Sequence, residues 1–172
     1  MNRVKLIVII FTVFSACDDY KNETYMIIEM DDNACNILNA DSLAVNKIAA
    51  SMNDTVFAST QDSINFLIAN DAHVLAVSSS PFYVTMEDNT CYLAFNASGA
   101  TIFFLDDPIT ISMIDHTGHR FGPSDENIDL STVAGCPEIK TRNLFDLFSG
   151  DYLIEVTGEN LNSTVFVVMK NE

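Results

Sequence analysis

From residue 73 onward the chain is written almost entirely in short runs rich in Val, Ile, Phe, Tyr and Thr, broken by Gly, Pro, Asn, Asp and Ser. The runs are 73–78, 82–86, 90–96, 100–105, 109–116, part of 138–148, 151–157 and 163–170. β-branched and aromatic residues in runs of this length, bounded by turn formers, read as strands. No helical period separates them, so parallel crossovers have nothing to run through, and antiparallel pairing follows. The expected fold is mainly β: an antiparallel β-sandwich, jelly-roll or immunoglobulin-like, with one or two short N-terminal helices. At 172 residues there is room for one domain with a full core but not for two large ones. The net charge of −16 does not prevent folding, because 48% of the residues are hydrophobic and twelve are Phe, enough burial to offset chain entropy.

The turn residues set expected reversals. Asn96-Ala97-Ser98-Gly99 is expected to join 90–96 to 100–105 as a hairpin, with Gly99 at positive φ. After Gly150, alternation sends Tyr152, Ile154 and Val156 to one face and Leu153, Glu155 and Thr157 to the other. The segment 158–162 then returns the chain into 164–169, a second expected hairpin. Residues 144–169, with the core Phe-Ser-Gly-Asp-Tyr-Leu-Ile-Glu-Val-Thr-Gly, weakly resemble the last strands of immunoglobulin-like or pre-peptidase C-terminal sandwiches of exported bacterial proteins. The resemblance carries no functional residue. The run 163–169 is apolar on both faces, with Lys170 and Glu172 behind it as gatekeepers, which fits a strand covered on both sides; the competing reading is an edge that pairs with a second copy of the chain.

Ahead of the strands, residues 25–30 read as a short strand followed by an acidic turn, Asp31-Asp32-Asn33. From Asp41 the apolar residues Val45, Ile48, Ala49 and Met52 fall on one helical face, with Asn39 or Asp41 as the cap. A second helix over 61–69 is capped by Ser59 or Thr60 and buries Ile64, Leu67 and Ile68, which places a helical portion at about 41–70 of a domain spanning 25–172. The polar connection 121–137 exceeds ordinary loop length.

The first sixteen residues form a basic start with Arg3 and Lys5, an apolar run from Leu6 to Phe14, and small residues at Ser15 and Ala16. This is the pattern of a secretory leader, and the run is too short to span a bilayer. Phe14-Ser15-Ala16-Cys17 resembles the bacterial lipoprotein lipobox, with Phe14 where Leu is usual. The resemblance implies acylation of Cys17 and anchoring of the mature protein to a membrane that it does not cross, with 17–24 as a polar tether. The alternative is an ordinary leader-peptidase cut after Ser15, giving a secreted protein.

The cysteines at 17, 35, 91 and 136 match no Cys-x-x-Cys pair. With Cys17 lipidated, one disulfide is expected at most, Cys35–Cys136 or Cys35–Cys91, against the alternative of buried thiols. Eight Lys and Arg against 24 Asp and Glu argue against nucleic acid, whose phosphates need clustered cations. Expected partners are the membrane through an N-terminal lipid, a protein or glycan ligand, and a second copy of the chain by strand pairing.

Two constellations offer metal chemistry, although no cofactor is required by the sequence. In Asp115-His116-Thr117-Gly118-His119, a two-residue turn at Thr117-Gly118 would face His116 with His119 and present two imidazoles to Zn or Cu, with Asp106, Asp107 or Asp125 as the third ligand. The acidic groups Asp31-Asp32-Asn33, Glu87-Asp88-Asn89, Asp106-Asp107 and Asp125-Glu126-Asn127 offer oxygen ligands to Ca²⁺. The bland alternatives are solvated turns. Glycosylation-type sequons occur at Asn22, Asn53, Asn96 and Asn162. No nucleophile elbow, zincin motif, phosphate-binding loop or dinucleotide fingerprint occurs. The expected function is therefore a non-enzymatic binding or structural module of the bacterial cell envelope, lipid-anchored at the outer membrane or cell surface. The alternatives are an envelope metal-binding protein using His116 and His119, and a self-assembling surface subunit.

Overall fold

The computed structural model describes residues 29–40, 43–53, 55–124, 133, 135–171. The leader 1–16, Cys17, the tether 17–24, Asn22, Asp41 and the acidic group 125–127 lie outside the described residues. Among the described residues, ten strands form two five-stranded sheets. The first has the order β1-β3-β10-β5-β8: β1 (Val45–Ala49), β3 (Phe82–Met86), β10 (Ser163–Lys170), β5 (Thr101–Leu105), β8 (Thr141–Phe145). The second has the order β2-β4-β9-β6-β7: β2 (Val74–Leu75), β4 (Thr90–Ala97), β9 (Gly150–Thr157), β6 (Thr110–Ile114), β7 (Arg120–Phe121).

The pairing is concentric. β6 pairs with β7, β5 with β8, β4 with β9 and β3 with β10, all antiparallel. An eight-stranded antiparallel ribbon rolled so that alternate pairs fall in opposite sheets is a jelly roll, and β10–β5 and β9–β6 contacts close the roll. β1 and β2 extend the two sheets at their edges in parallel, beside β3 and β4.

This topology corrects both expected hairpins. β4 and β5 lie in different sheets, as do β9 and β10, so the Asn96–Gly99 and 158–162 turns arch across the sandwich. Gly99 does adopt positive φ, 141°. β10 sits at the centre of its sheet with both faces covered: Phe166 and Val168 inward, Val167 outward under a helix. Between the sheets Phe95, Phe103 and Phe145 meet edge-on, with centroids 5.2 and 5.7 Å apart, the arrangement that aromatic quadrupoles favour.

Among the described residues, two α-helices cap the outer faces. Helix α1 (Glu29–Asn39) replaces the expected strand and acidic turn in the described part of 25–33. Its stripe of Met30, Ala34, Ile37 and Leu38 packs on Ile102, Phe104 and Val167 of the first sheet. Asp31 is buried and ion-paired with buried Arg142 at 3.1 Å, and Cys35 is bonded to Cys136. Helix α2 (Thr60–Ile68) is capped by Ser59, whose hydroxyl accepts from the Asp62 N–H at 3.2 Å. It buries Ile64 and Leu67 on the second sheet, whereas Ile68 faces solvent, contrary to expectation.

The expected helix from Asp41 is instead the strand β1, so the helical portion does not occupy 41–70 as a block. Lys47 and Ala49 point inward, while Val45 and Ile48 are exposed. Lys47 is buried because its ammonium donates to the Asp71 carbonyl at 2.7 Å and pairs with the Asp71 carboxylate at 3.0 Å. A lysine with so placed a partner satisfies an interior position that lay off the apolar face Val45, Ile48, Ala49 and Met52 of the expected helix. No helix among the described residues is long and apolar enough to cross a membrane.

Candidate functional site

The outer face of the second sheet carries a cleft of about 450 Å³ between α2 with its preceding segment and the β6–β7 hairpin. Its floor is supplied by Tyr92 of β4, Leu153 of β9, Ile114 of β6 and Arg120 of β7. Met52, Asn53, Phe57, Ser59 and Thr60 form one wall, and Gly118 stands in the other.

The hairpin tip is built by Asp115. Its carboxylate accepts from the Thr117 hydroxyl at 2.5 Å, the Thr117 N–H at 2.8 Å and the His119 N–H at 3.0 Å. The Thr117 hydroxyl, followed by the two backbone donors, holds the Asp115 carboxyl below the usual carboxylate range. Gly118 closes the turn at φ 88° and packs so closely on α2 that a Cβ there would lie 3.1 Å from the Thr60 hydroxyl. Only glycine satisfies both conditions.

At the floor, Glu155 is buried on β9 and receives both terminal nitrogens of Arg120, the Nη2 contact measuring 2.7 Å. The Tyr92 hydroxyl donates to the same carboxylate at 3.0 Å. Burial, and then the neighbouring Glu155 carboxylate, pushes the Tyr92 phenol above its ordinary value, so it stays a donor at neutral pH. The Arg120 side chain keeps about half its surface exposed, at 53%, against 11% for Glu155. A buried carboxylate thus anchors a guanidinium whose outer side faces the cleft. The Phe57 ring is backed by Phe66 at a centroid distance of 5.4 Å.

The sequence-predicted metal residues are arranged differently. Asp115, not His116, is the residue opposite His119: the Asp115 N–H donates to the His119 carbonyl at 3.0 Å. The loop therefore holds three residues, His116-Thr117-Gly118, rather than two, because the Asp115 carboxylate and the positive φ of Gly118 favour the longer turn. His116 sits at the exposed tip and His119 stacks on Phe121 at 5.8 Å. Asp106 and Asp107 lie beyond the other end of β6, whose five residues span about 17 Å at about 3.4 Å each. They are not brought to the histidines. Asp106 instead accepts from the Thr164 hydroxyl at 2.9 Å and the Val165 N–H at 2.7 Å. Burial, then the Asp106 charge, pushes the Asp107 carboxyl up.

The acidic groups are likewise engaged in structure. Glu87 accepts from the Ser51 N–H at 2.8 Å and Asp88 from the Asn53 amide at 2.7 Å, tying 51–53 to the β3–β4 turn. Among the described residues, Cys35, Cys136 and Glu138 bring three metal-type donors together, but the two sulfurs are bonded to each other. Cys91 is a buried thiol exchanging hydrogen bonds with the Asp88 backbone. Asn53, Asn96 and Asn162 are all exposed.

The residues that sequence reasoning missed are Arg120, Tyr92 and Phe57. Alternation along β9 put Glu155 opposite the core-facing residues, and an acid on that face flanked by Leu153 was the available signal. No protein-family model matches the chain, and no curated protein is significantly similar to it in sequence.

Proposed function

We propose that this chain is an exported, lipid-anchored binding module of the bacterial cell envelope, and that it receives its ligand in the cleft between α2 and the β6–β7 hairpin. The observation that carries the reading is the Arg120–Glu155–Tyr92 network: polar groups fixed by one another at the floor of an open cleft, their orientation set before a ligand arrives. A cleft of about 450 Å³ falls in the ordinary range of small-ligand sites, roughly 300–1,000 Å³.

Export is supported by the Cys35–Cys136 disulfide, a bond that persists in oxidising compartments, and by the leader-like residues 1–16. The chain enters the described fold at Glu29, where α1 lies on the first sheet. The cleft lies on the second sheet, on the face of the sandwich opposite the one that α1 covers. Mass spectrometry of the mature N-terminus tests the anchor: a diacylated or triacylated Cys17 is expected, and Cys17→Ala should release the protein from membranes. An unmodified N-terminus on membrane-free material overturns that part of the reading.

A further inference from the structure

Resting on the cleft as the binding site, we propose that its ligand is a neutral saccharide. The charges in the cleft cancel. Both oxygens of Glu155 are taken by Arg120, and one of them also by Tyr92, so a cation finds no open carboxylate there. Arg120 is neutralised in turn, and the chain as a whole carries −16, which disfavours an anion. The described lining residues include no acid and no other base.

What remains is a surface of mixed character. Thr60 and the outer side of Arg120 offer a hydroxyl and a planar fork, and Asn53 and Tyr92 keep hydrogen-bonding capacity beyond the bonds they donate to Asp88 and Glu155, a set matched in kind to rings of hydroxyl groups that both donate and accept. Beside them stands the Phe57 ring, held by Phe66. A pyranose has this same duality, hydroxyls around its edge and an apolar C–H face that lies on an aromatic ring. Nucleotides carry phosphate against the prevailing field, and free amino acids need two uncompensated charges that the cleft lacks.

The test is a printed glycan array holding neutral, sialylated and sulfated oligosaccharides, probed with the intact mature protein. Calorimetric titration with the neutral oligosaccharides that bind follows, alongside a thermal-shift panel of amino acids, nucleosides and divalent metal salts. Neutral glycans of hexose or N-acetylhexosamine are expected to bind, at least tenfold more weakly to Phe57→Ala and several-fold more weakly to Tyr92→Phe. Phe57 is only half-buried, so its truncation should leave the fold intact, which far-ultraviolet dichroism verifies. Phe148→Ser, at an exposed position outside the cleft, should bind as wild type. Binding restricted to charged glycans, or of a non-sugar that Phe57→Ala abolishes, overturns the saccharide assignment and leaves a binding module. Silence in every arm overturns both.

Discussion

Breaking the Cys35–Cys136 bond is the perturbation whose magnitude follows most directly from the fold. The bond joins residues 101 positions apart, tying the helix that covers the first sheet to the segment entering β8. In the loop-entropy account, opening a cross-link of that span releases about 4.7 kcal/mol of unfolded-state restriction. Ala34 beside the bond shares a buried cluster with Ile102 and Phe104, packing that does not require the sulfur link, so the loss is expected to fall on the unfolded ensemble. A domain of this size has a total stability of roughly 5–15 kcal/mol, so the reduced protein should stand near the edge of folding. Urea unfolding of the native protein, with and without dithiothreitol, reads the effect. At slopes of about 1–3 kcal/mol/M the midpoint should fall by at least about 1.5 M. Cys35→Ser/Cys136→Ser should reproduce the reduced curve. A reduced midpoint within about 0.3 M of the oxidised one would refute the reasoning, because the bond would then close no loop that folding must restrict.

Other outcomes are specific. Phe103→Ala removes a ring packed edge-on by both Phe95 and Phe145 in the fully buried centre, and should cost about 3–5 kcal/mol in denaturant unfolding. Gly118→Ala places a Cβ at positive φ and against Thr60, and should destabilise by more than about 1 kcal/mol. The Cys91 thiol is pushed up chiefly by burial. Its contribution to stability is therefore fully present below the ordinary value of 9.0 and is lost as pH rises through the higher folded value, the thiol ionising more readily once unfolded. Alkaline unfolding curves should steepen accordingly, less so in Cys91→Ala, and iodoacetamide should label Cys91 only in denaturant.

The strand content could be read from local sequence because β-branched and aromatic residues cluster wherever the chain is pleated and covered. The partnership of strands could not. Gly99 and Gly158 mark where the backbone reverses, but a turn residue sets local φ and ψ and says nothing of which sheet receives the next strand. The same limit applies to buried charges. Lys47 is interior because of Asp71, and Asp31 because of Arg142, 111 residues away, so both positions looked like surface in a window of a dozen residues. The Met30, Ala34, Ile37 and Leu38 stripe of α1 stands in the sequence at helical spacing, but the acidic triplet inside it carries the composition of a turn. Of the cleft, the outward face of Glu155 is legible from alternation, whereas its pairing with Arg120, 35 positions earlier, depends on β9 lying beside β6 and on β7 lying at the other edge of β6.

The concentric pairing has a kinetic corollary. Partner separations grow outward, from 8 positions for Met113 and Phe121 in β6–β7 to 78 for Thr85 and Ser163 in β3–β10. Each wider ring closes a longer loop, which slows assembly relative to local folds. The middle of the first sheet stays vacant until Ser163–Lys170 has emerged from the ribosome. A nascent chain short of that point has β3 and β5 with no strand between them, so the first sheet cannot close until the last ring of the roll is in place.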